Sequence, residues 1–377
     1  MLANNNKKNH YKYIHFFWRD DLKFTPCVVR MVNNPEYGFS PKEHLFVTPY
    51  KNVYEALSDY DNVIYWNTKD PHSAQMVNYY ASYGDWLFLH SIPGWRNVFN
   101  IKKKYKKKII WRTWGHDAVL RDEKKGPLIR RLMNKFFNFM RIHEVRSFYA
   151  VGVSSNYIDD LDIRRKYGNV KTLHVPYLNK AKYISIDCSS QGETLNIMVG
   201  HSGYKEENHI NILEKLKRFK DENICIYLIF SYADPVYMKK VVDYVHANWP
   251  QKVNIVTKFV PLEEYKRFCS KIDIGIFDWI NSYAIGNVSL LFNFRKKLIF
   301  NRNGLWHKVF SDKDAPHMCT DELDTISYDQ FKQPLVYPLK KYEGLDSIPF
   351  EEHIKNWKEM LKMLDLETLK RNECKIK

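Results

Sequence analysis

What most constrains this chain is an alternation, repeated along its length, of short β-branched and aromatic runs with longer amphipathic or charged segments. Such alternation predicts parallel α/β architecture, because a parallel strand returns to its sheet through a crossover that is usually helical. In the first half, strands are predicted near Tyr11 to Trp18, His44 to Val47, Val63 to Trp66, Trp86 to His90, Ile109 to Thr113, Tyr149 to Val153 and Thr172 to Val175. The pattern pauses over the polar stretch Asn179 to Thr194, which reads as a linker. A second series follows, with strands at Leu195 to Val199, Ile224 to Phe230, Val253 to Thr257, Ile272 to Phe277 and Lys297 to Asn301. Helices are predicted between them at Glu206 to Lys220, Pro235 to Ala247, Leu262 to Ser270 and Ala284 to Phe294. With 377 residues, the chain exceeds the ~250–300 that one hydrophobic core supports. Two doubly wound domains are therefore expected, residues 1–185 and residues 186–377, the second carrying the terminal helices. Ligands of such folds bind beyond the carboxyl ends of the strands, so a cleft between the domains is the expected site.

The formal net charge of +16 is concentrated in the first half. Residues 1–185 hold 31 Lys/Arg against 16 Asp/Glu, whereas the remainder is nearly balanced. Within that half, Arg96 to Arg146 carries 16 basic and 4 acidic residues, including the run Lys102, Lys103, Lys104, Lys106, Lys107 and Lys108. A patch of this kind attracts phosphates, of an anionic membrane surface or of nucleic acid, unless it is only a solvated lysine-rich loop. Leu128 to Phe148 mixes Leu, Ile, Met and Phe with Arg130, Arg131, Lys135, Arg141 and Arg146. Its pattern fits an interfacial helix with arginines toward lipid phosphates, and equally a buried core helix. Six scattered cysteines without a Cys-x-x-Cys pair favour a reducing compartment. The N-terminus lacks an apolar signal segment, and the longest apolar stretch, near Ile224 to Phe230, falls short of the ~18 residues that span a bilayer. The expectation is a cytoplasmic protein, peripheral on the inner face of the cell membrane.

Chemistry concentrates at the predicted strand ends. Gly200-His201-Ser202-Gly203 lies between a strand and a helix, and its glycines permit close backbone approach while the helix start favours a diphosphate. Asn208 and His209 stand behind that loop. Gly286 and Asn287 open a second helix after the strand ending at Phe277, so that two helix dipoles can converge on one pyrophosphate. In the first half, Trp114-Gly115-His116-Asp117 follows a strand end; Asp117 or His116 there suits a general base, although Asp117 equally suits a helix cap. His90, and His15 with Asp20, are further strand-end polar groups. No metal site is expected: there is no His-x-x-x-His or Cys-x-x-Cys pair, and Asp160-Leu161-Asp162 sits in a charged helix pattern. Helix termini and basic side chains would then stabilise a leaving diphosphate.

These residues resemble glycosyltransferase family 56, the 4-acetamido-4,6-dideoxygalactosyl (N-acetylfucosaminyl) transferases, from about His15 to Phe310. Trp111 to Asp117 resembles the family's Trp-x-x-Trp-Gly-x-Asp, and Ile197 to Ile210 its Val-Gly-Asn-Ser-Gly followed by Asn-His. Asp273 to Phe277, Ile285-Gly286, Asn301-Arg302-Asn303 and Trp306 form a third part, and His15 and His90 fall on family histidines. The resemblance implies a GT-B fold of two Rossmann-like domains, with Asp117, His90 and His116 as catalytic candidates. It also implies a TDP- or UDP-linked sugar, 4-acetamido-4,6-dideoxygalactose or a relative, held near Gly200 to Gly203, Asn208, His209, Gly286, Asn287 and Asn301. A polyprenyl-diphosphate-linked acceptor would meet His15, Asp20, Trp114 and Gly115. The family pattern is departed from at His201, which replaces Asn, around Asn281 and Ser282, and over Phe292 to Lys296. Two other classes compete: a nucleic-acid-binding protein, for which the aromatics lie too much within strand-like runs, and an epimerase-like relative on the same fold.

Overall fold

The computed structural model describes residues 10–176 and 192–376, except 23, 71–73, 93, 125, 155–156, 259, 339, 341, 343–344 and 346–348, and gives only the backbone at 96, 97, 116 and 374–376. Most of the linker predicted at Asn179 to Thr194 lies outside the described residues. The chain divides into two units, Met1–Asn179 with Pro349–Lys377, and Lys180–Ile348.

The first unit is built on β1 (Tyr11–Phe17), β2 (His44–Thr48), β3 (Val63–Tyr65), β4 (Gly84–His90), β5 (Ile109–Arg112), β6 (Ala150–Val153) and β7 (Thr172–His174). Between them run α1 (Thr25–Asn33), α2 (Lys51–Glu55), α3 (Gln75–Tyr80), α4 (Trp95–Phe99), α5 (Lys103–Lys106), α6 (Leu128–Ser147) and α7 (Ile158–Tyr167). The strands pair in parallel in the order β3-β2-β1-β4-β5-β6-β7. The second unit has β8 (Leu195–Val199), α8 (His209–Leu216), β9 (Ile224–Ile229), α9 (Pro235–Asn248), β10 (Val253–Val256), α10 (Leu262–Ser270) and β11 (Ile274–Phe277). It continues with α11 (Ile285–Asn293), β12 (Lys297–Phe300), α12 (Leu305–Asp312), β13 (Met318–Cys319) and α13 (Tyr328–Lys332), and its parallel order is β10-β9-β8-β11-β12-β13. In each sheet the strand order reverses once, at β1/β4 and at β8/β11, which puts the binding edge at the loops after those strands. The central strands are buried on both faces, as parallel strands covered by helices must be. The predicted helix Glu206 to Lys220 resolves into a 3-10 turn, α8 and a second 3-10 turn.

The expected second domain ran to the end of the chain; instead the last helix, α14 (Phe350–Ile376), belongs to the first unit. Its anchors explain why. The Trp86 indole donates to Leu364 O and Thr368 Oγ1 at 3.1 and 2.9 Å, and the Tyr13 hydroxyl donates to Leu361 O at 3.1 Å and Asp365 Oδ1 at 2.5 Å. Trp357 is fully buried and donates to Pro176 O. Without α14 that face of β1 and β4 would expose large aromatics, so the first sheet needs a cover that the order of the sequence does not reveal.

Across the same face runs a chain of three buried histidines. His44 Nδ1 lies 3.0 Å from His15 Nε2, and His15 Nδ1 lies 3.0 Å from His90 Nε2. The ring stacking continues through Phe46 and Phe88. Burial lowers the pKa of His15 and His90 well below the usual imidazole value near 6.5 and brings His44 to about 3; the neighbouring imidazoles add to this at His15, Arg112 at His90 and Lys12 at His44. Each ring is thus neutral, and because each shared contact needs one donor and one acceptor, the tautomers are coupled.

Unfolding frees these rings to titrate near 6.5, above their folded values. Below that pH the unfolded chain binds more protons, so the stability present above 6.5 is lost as pH falls, by up to about 1.4 kcal/mol per pH unit per ring. The urea midpoint of the first unit is expected to drop between pH 7 and 5, before most carboxylates titrate; a midpoint constant over that window contradicts this account.

Candidate functional site

In the second unit the carboxyl edge is organised by two acidic residues that periodicity does not mark. Gly200 directly follows β8 with φ +70°, and a Cβ there would come within 2.6 Å of His209 Nε2 and 2.8 Å of Glu207 Oε2. Glycine is therefore required both for backbone angle and for space. Glu207, buried, accepts from the Ser202 hydroxyl at 2.6 Å and the His201 N–H at 3.2 Å, and lies 2.6 Å from His201 Nδ1. The Gly203 N–H is spent on Tyr232 O. His209, fully buried against Phe230, is held near 4 by burial and does not serve as a cation.

Asp278, immediately after β11, is the other organiser. It is 5% exposed; Oδ1 accepts from Asn301 Nδ2 at 2.9 Å and Thr320 Oγ1 at 2.8 Å, and Oδ2 accepts from Asn208 Nδ2 at 3.1 Å. One carboxylate thereby gathers the loops after β8, β12 and β13 around the end of β11. Asn208 adopts φ +58° and Ala284 φ +57°, both at the N-caps of the helices that follow, α8 and α11. No side chain caps α11, and a Cβ at Gly286 would meet nothing within 4 Å. Asn287 Oδ1 accepts from the Tyr265 hydroxyl at 2.7 Å. At the α11 start the Asn287 N–H is bonded to Ala284 O, which leaves the N–H groups of Ile285 and Gly286 beside a small residue, an arrangement that suits an anion.

In the first unit the loops after β1, β4 and β5 are neighbours at the carboxyl edge. Asp117, 5% exposed, is the knot between two of them. Its Oδ2 accepts from the Ile92 N–H and the Trp111 indole, each at 3.0 Å, and its Oδ1 accepts from the Trp114 N–H at 2.7 Å. A carboxylate with three donors in place is set up to hold loops. His116 opens the 3-10 turn His116–Ala118, and its side chain lies outside the described residues. Gly115 has φ +81° with open space where a Cβ would stand. Trp114 packs edge-on to Phe24 and lies under the Arg19 guanidinium, whose Nε donates to Ser91 Oγ at 2.8 Å. Asp20 is exposed and accepts from Asn52. His90 and His15 sit within the sheet, fully buried.

Gly200, Asn208, Gly286, Asn287 and Asn301 lie at the carboxyl edge of the second sheet and Trp114, Gly115 and Asp117 at that of the first, whereas His15 and His90 lie inside the first sheet. Asn208 and Asn301 meet on Asp278, whereas Asn287 lies with Tyr265. Glu207 and Asp278 were missed; the signal for Asp278 was available, an acidic residue directly after an apolar strand. Asp160 and Asp162 are confirmed on a helix, paired with Arg164 and with Arg165 and Lys166.

Residues 57–364 match the family described as 4-alpha-L-fucosyltransferase, glycosyl transferase group 56. Among solved structures, the HepE protein of Anabaena, crystallised with UDP and glucose, aligns at TM-score 0.57 and 7% identity over 97% of this chain and 100% of that one. A glycosyltransferase from Rickettsia africae gives 0.57 and 12% over 96% and 99%, and sucrose-phosphate synthase from Thermosynechococcus elongatus 0.53 and 11% over 98% and 100%. At these identities the likeness is one of fold, and the fold is GT-B.

Asp117→Asn replaces one acceptor oxygen by an amide that faces buried donors. It is expected to lower unfolding stability by roughly 1–3 kcal/mol, the cost of an unsatisfied buried group. A simple helix cap would tolerate Asn, so an unchanged urea midpoint would show that the three-donor knot does not support the fold.

Proposed function

The chain belongs to glycosyl transferase group 56, and we propose that this nucleotide-sugar-dependent hexosyltransferase binds its donor on the second unit and a polyprenyl-diphosphate-linked acceptor on the first. The observation that carries the donor assignment is the edge formed by the Gly200 turn, the Asp278 cluster and the open start of α11. The Ile285 and Gly286 N–H groups at the start of α11 would take the diphosphate, favouring its charge as it leaves, while the Gly200 turn lets the backbone come close beside it. His201 stands against Trp279 with ring centroids 5.0 Å apart, beside the Gly200 turn. We assign the donor sugar to TDP-4-acetamido-4,6-dideoxygalactose or a related deoxyamino hexose, with stabilisation by the protein chain instead of a metal ion.

In the reaction, an acceptor hydroxyl oxygen bonds to the anomeric carbon, the bond from that carbon to the diphosphate oxygen breaks, and the hydroxyl proton passes to a base. Asp20, Trp114 and Gly115 line the acceptor edge, Asp117 fixes its loops, and His116 is the candidate that receives the proton. His90, fully buried with its Nε2 on His15, is a structural group of the sheet and not the base.

The acceptor's lipid calls for a membrane-facing element, and α6 supplies one. Leu128, Ile129, Leu132, Met133, Phe136 and Phe139 recur at helical spacing and are 52 to 74% exposed. Arg130, Arg131 and Lys135 are exposed among them. The burial of α6 is confined to its C-terminal part, at Asn138, Arg141, Glu144 and Val145. An apolar stripe with basic neighbours lies in a lipid headgroup boundary rather than in water. No described helix is long and apolar enough to cross a membrane. Part of the lysine run is structural: Lys106 pairs with Glu144 and Lys108 donates to Gly84 O.

Gly200→Val is expected to abolish calorimetric binding of UDP and TDP while α6 variants leave it unchanged; full nucleotide affinity in the valine variant removes the turn from the site. Co-sedimentation with anionic vesicles is expected to weaken with salt and to fall severalfold in Phe136→Ser/Phe139→Ser, since each buried side chain contributes about 1.5–3 kcal/mol. Binding insensitive to both changes would separate α6 from the membrane.

A further inference from the structure

Away from the Gly200 turn, the second unit brings two imidazoles and a thiol to one point. His307 lies on α12; His317 immediately precedes β13 and Cys319 ends it, two residues apart. His307 Nδ1 is 2.8 Å from His317 Nε2, and Cys319 Sγ is 3.3 Å from His307 Nδ1. All three donor atoms lie within 4.8 Å of one another. Phe300 and Phe310 flank the His317 ring, and Cys319 is 2% exposed.

We propose that His307, His317 and Cys319 form a binding site for a borderline-soft divalent cation of the zinc class. The donor set selects the metal: one thiolate with two imidazoles suits zinc and disfavours magnesium or calcium, which take oxygen ligands. The orientation of His317 is already that of a ligand. Its Nδ1 lies 2.8 Å from Ala315 O, so Nδ1 carries the proton and Nε2 presents its lone pair toward the cluster. A backbone carbonyl holding the far nitrogen in this way is the usual outer partner of a metal-bound histidine. The spacing is also close. Tetrahedral zinc with bonds of about 2.0–2.1 Å to nitrogen and about 2.3 Å to sulfur sets its ligands roughly 3.3–3.6 Å apart. The sulfur–nitrogen separation nearly meets this, and the two nitrogens must part by about half an ångström on the same scale. Binding expels the Cys319 thiol proton to solvent and moves the His307 proton from Nδ1 to Nε2. The fourth position is left to water or to an incoming ligand, on the side where the histidines are half-buried.

The cation would act on structure, independently of the transfer step. Thr320, next to Cys319, donates to Asp278, and Asn301 from the preceding strand end does the same. Clamping α12 to β13 therefore steadies two of the three loops that Asp278 gathers.

The test uses the untagged full chain, stripped with a chelator and titrated with Co2+. One equivalent is expected to produce a near-ultraviolet thiolate-to-cobalt band with the visible bands of a tetrahedral site, displaced by Zn2+. Cys319→Ser abolishes the thiolate band and His317→Ala weakens binding at least about tenfold, the lower end of what losing an outer partner alone costs. Circular dichroism establishes that each variant is folded. X-ray absorption of the zinc-loaded wild type needs no variant, and is expected to show one sulfur at about 2.3 Å with nitrogen or oxygen neighbours at about 2.0–2.1 Å. A first shell without sulfur, or a thiolate band that survives Cys319→Ser, overturns the proposal.

Discussion

Two buried carboxylates hold the carboxyl edges on which everything else depends. Asp117 and Asp278 are each 5% exposed, and a buried carboxylate is tolerated only when its lone pairs are met. Asp117 meets that demand with two backbone N–H groups and an indole, Asp278 with two amides and a hydroxyl. The donors come from different strand ends, so satisfying one charge fixes several loops relative to one another. Parallel sheets make this necessary. Their strands are covered on both faces, polar chemistry is displaced to the strand ends, and loops there have no ladder of their own to hold them.

The same logic explains the polar groups that remain inside the first sheet. Three histidines on one sheet face would each leave a ring nitrogen unmet in an apolar layer, but side by side they meet one another. Burial keeps them neutral, and α14 closes the face above Tyr13, Trp86 and Phe88. The exposed stripe of α6 is the opposite case. Its apolar residues from Leu128 to Phe139 stay exposed, and a stripe of this kind is the part of the fold left without an apolar cover among the described residues.

Much of this was legible in order along the chain. Strand positions followed from β-branched and aromatic runs, and the special backbone at Gly115 and Gly200 from glycines at strand ends. Other features were not. Glu207 looks like an ordinary acidic residue in a polar loop, and although Asp278 directly follows an apolar strand, nothing local shows which donors will surround either one. His317 and Cys319 are two residues apart in sequence, but the third member of their cluster, His307, arrives from a helix ten residues earlier. The terminal helix was placed with the wrong unit because nearness in sequence is a poor guide to which sheet face lacks a cover.

The sequence by itself determined the fold class, the number of strand–helix series and the strand ends at which chemistry would gather. Those follow from periodicity and from residues whose backbone freedom is intrinsic, such as Gly200. Only the tertiary structure decided which carboxylates hold loops together, which apolar helix face stays bare, and where α14 docks. Burial, charge satisfaction and coverage are properties of pairs of distant segments, and a single segment carries no record of its partner.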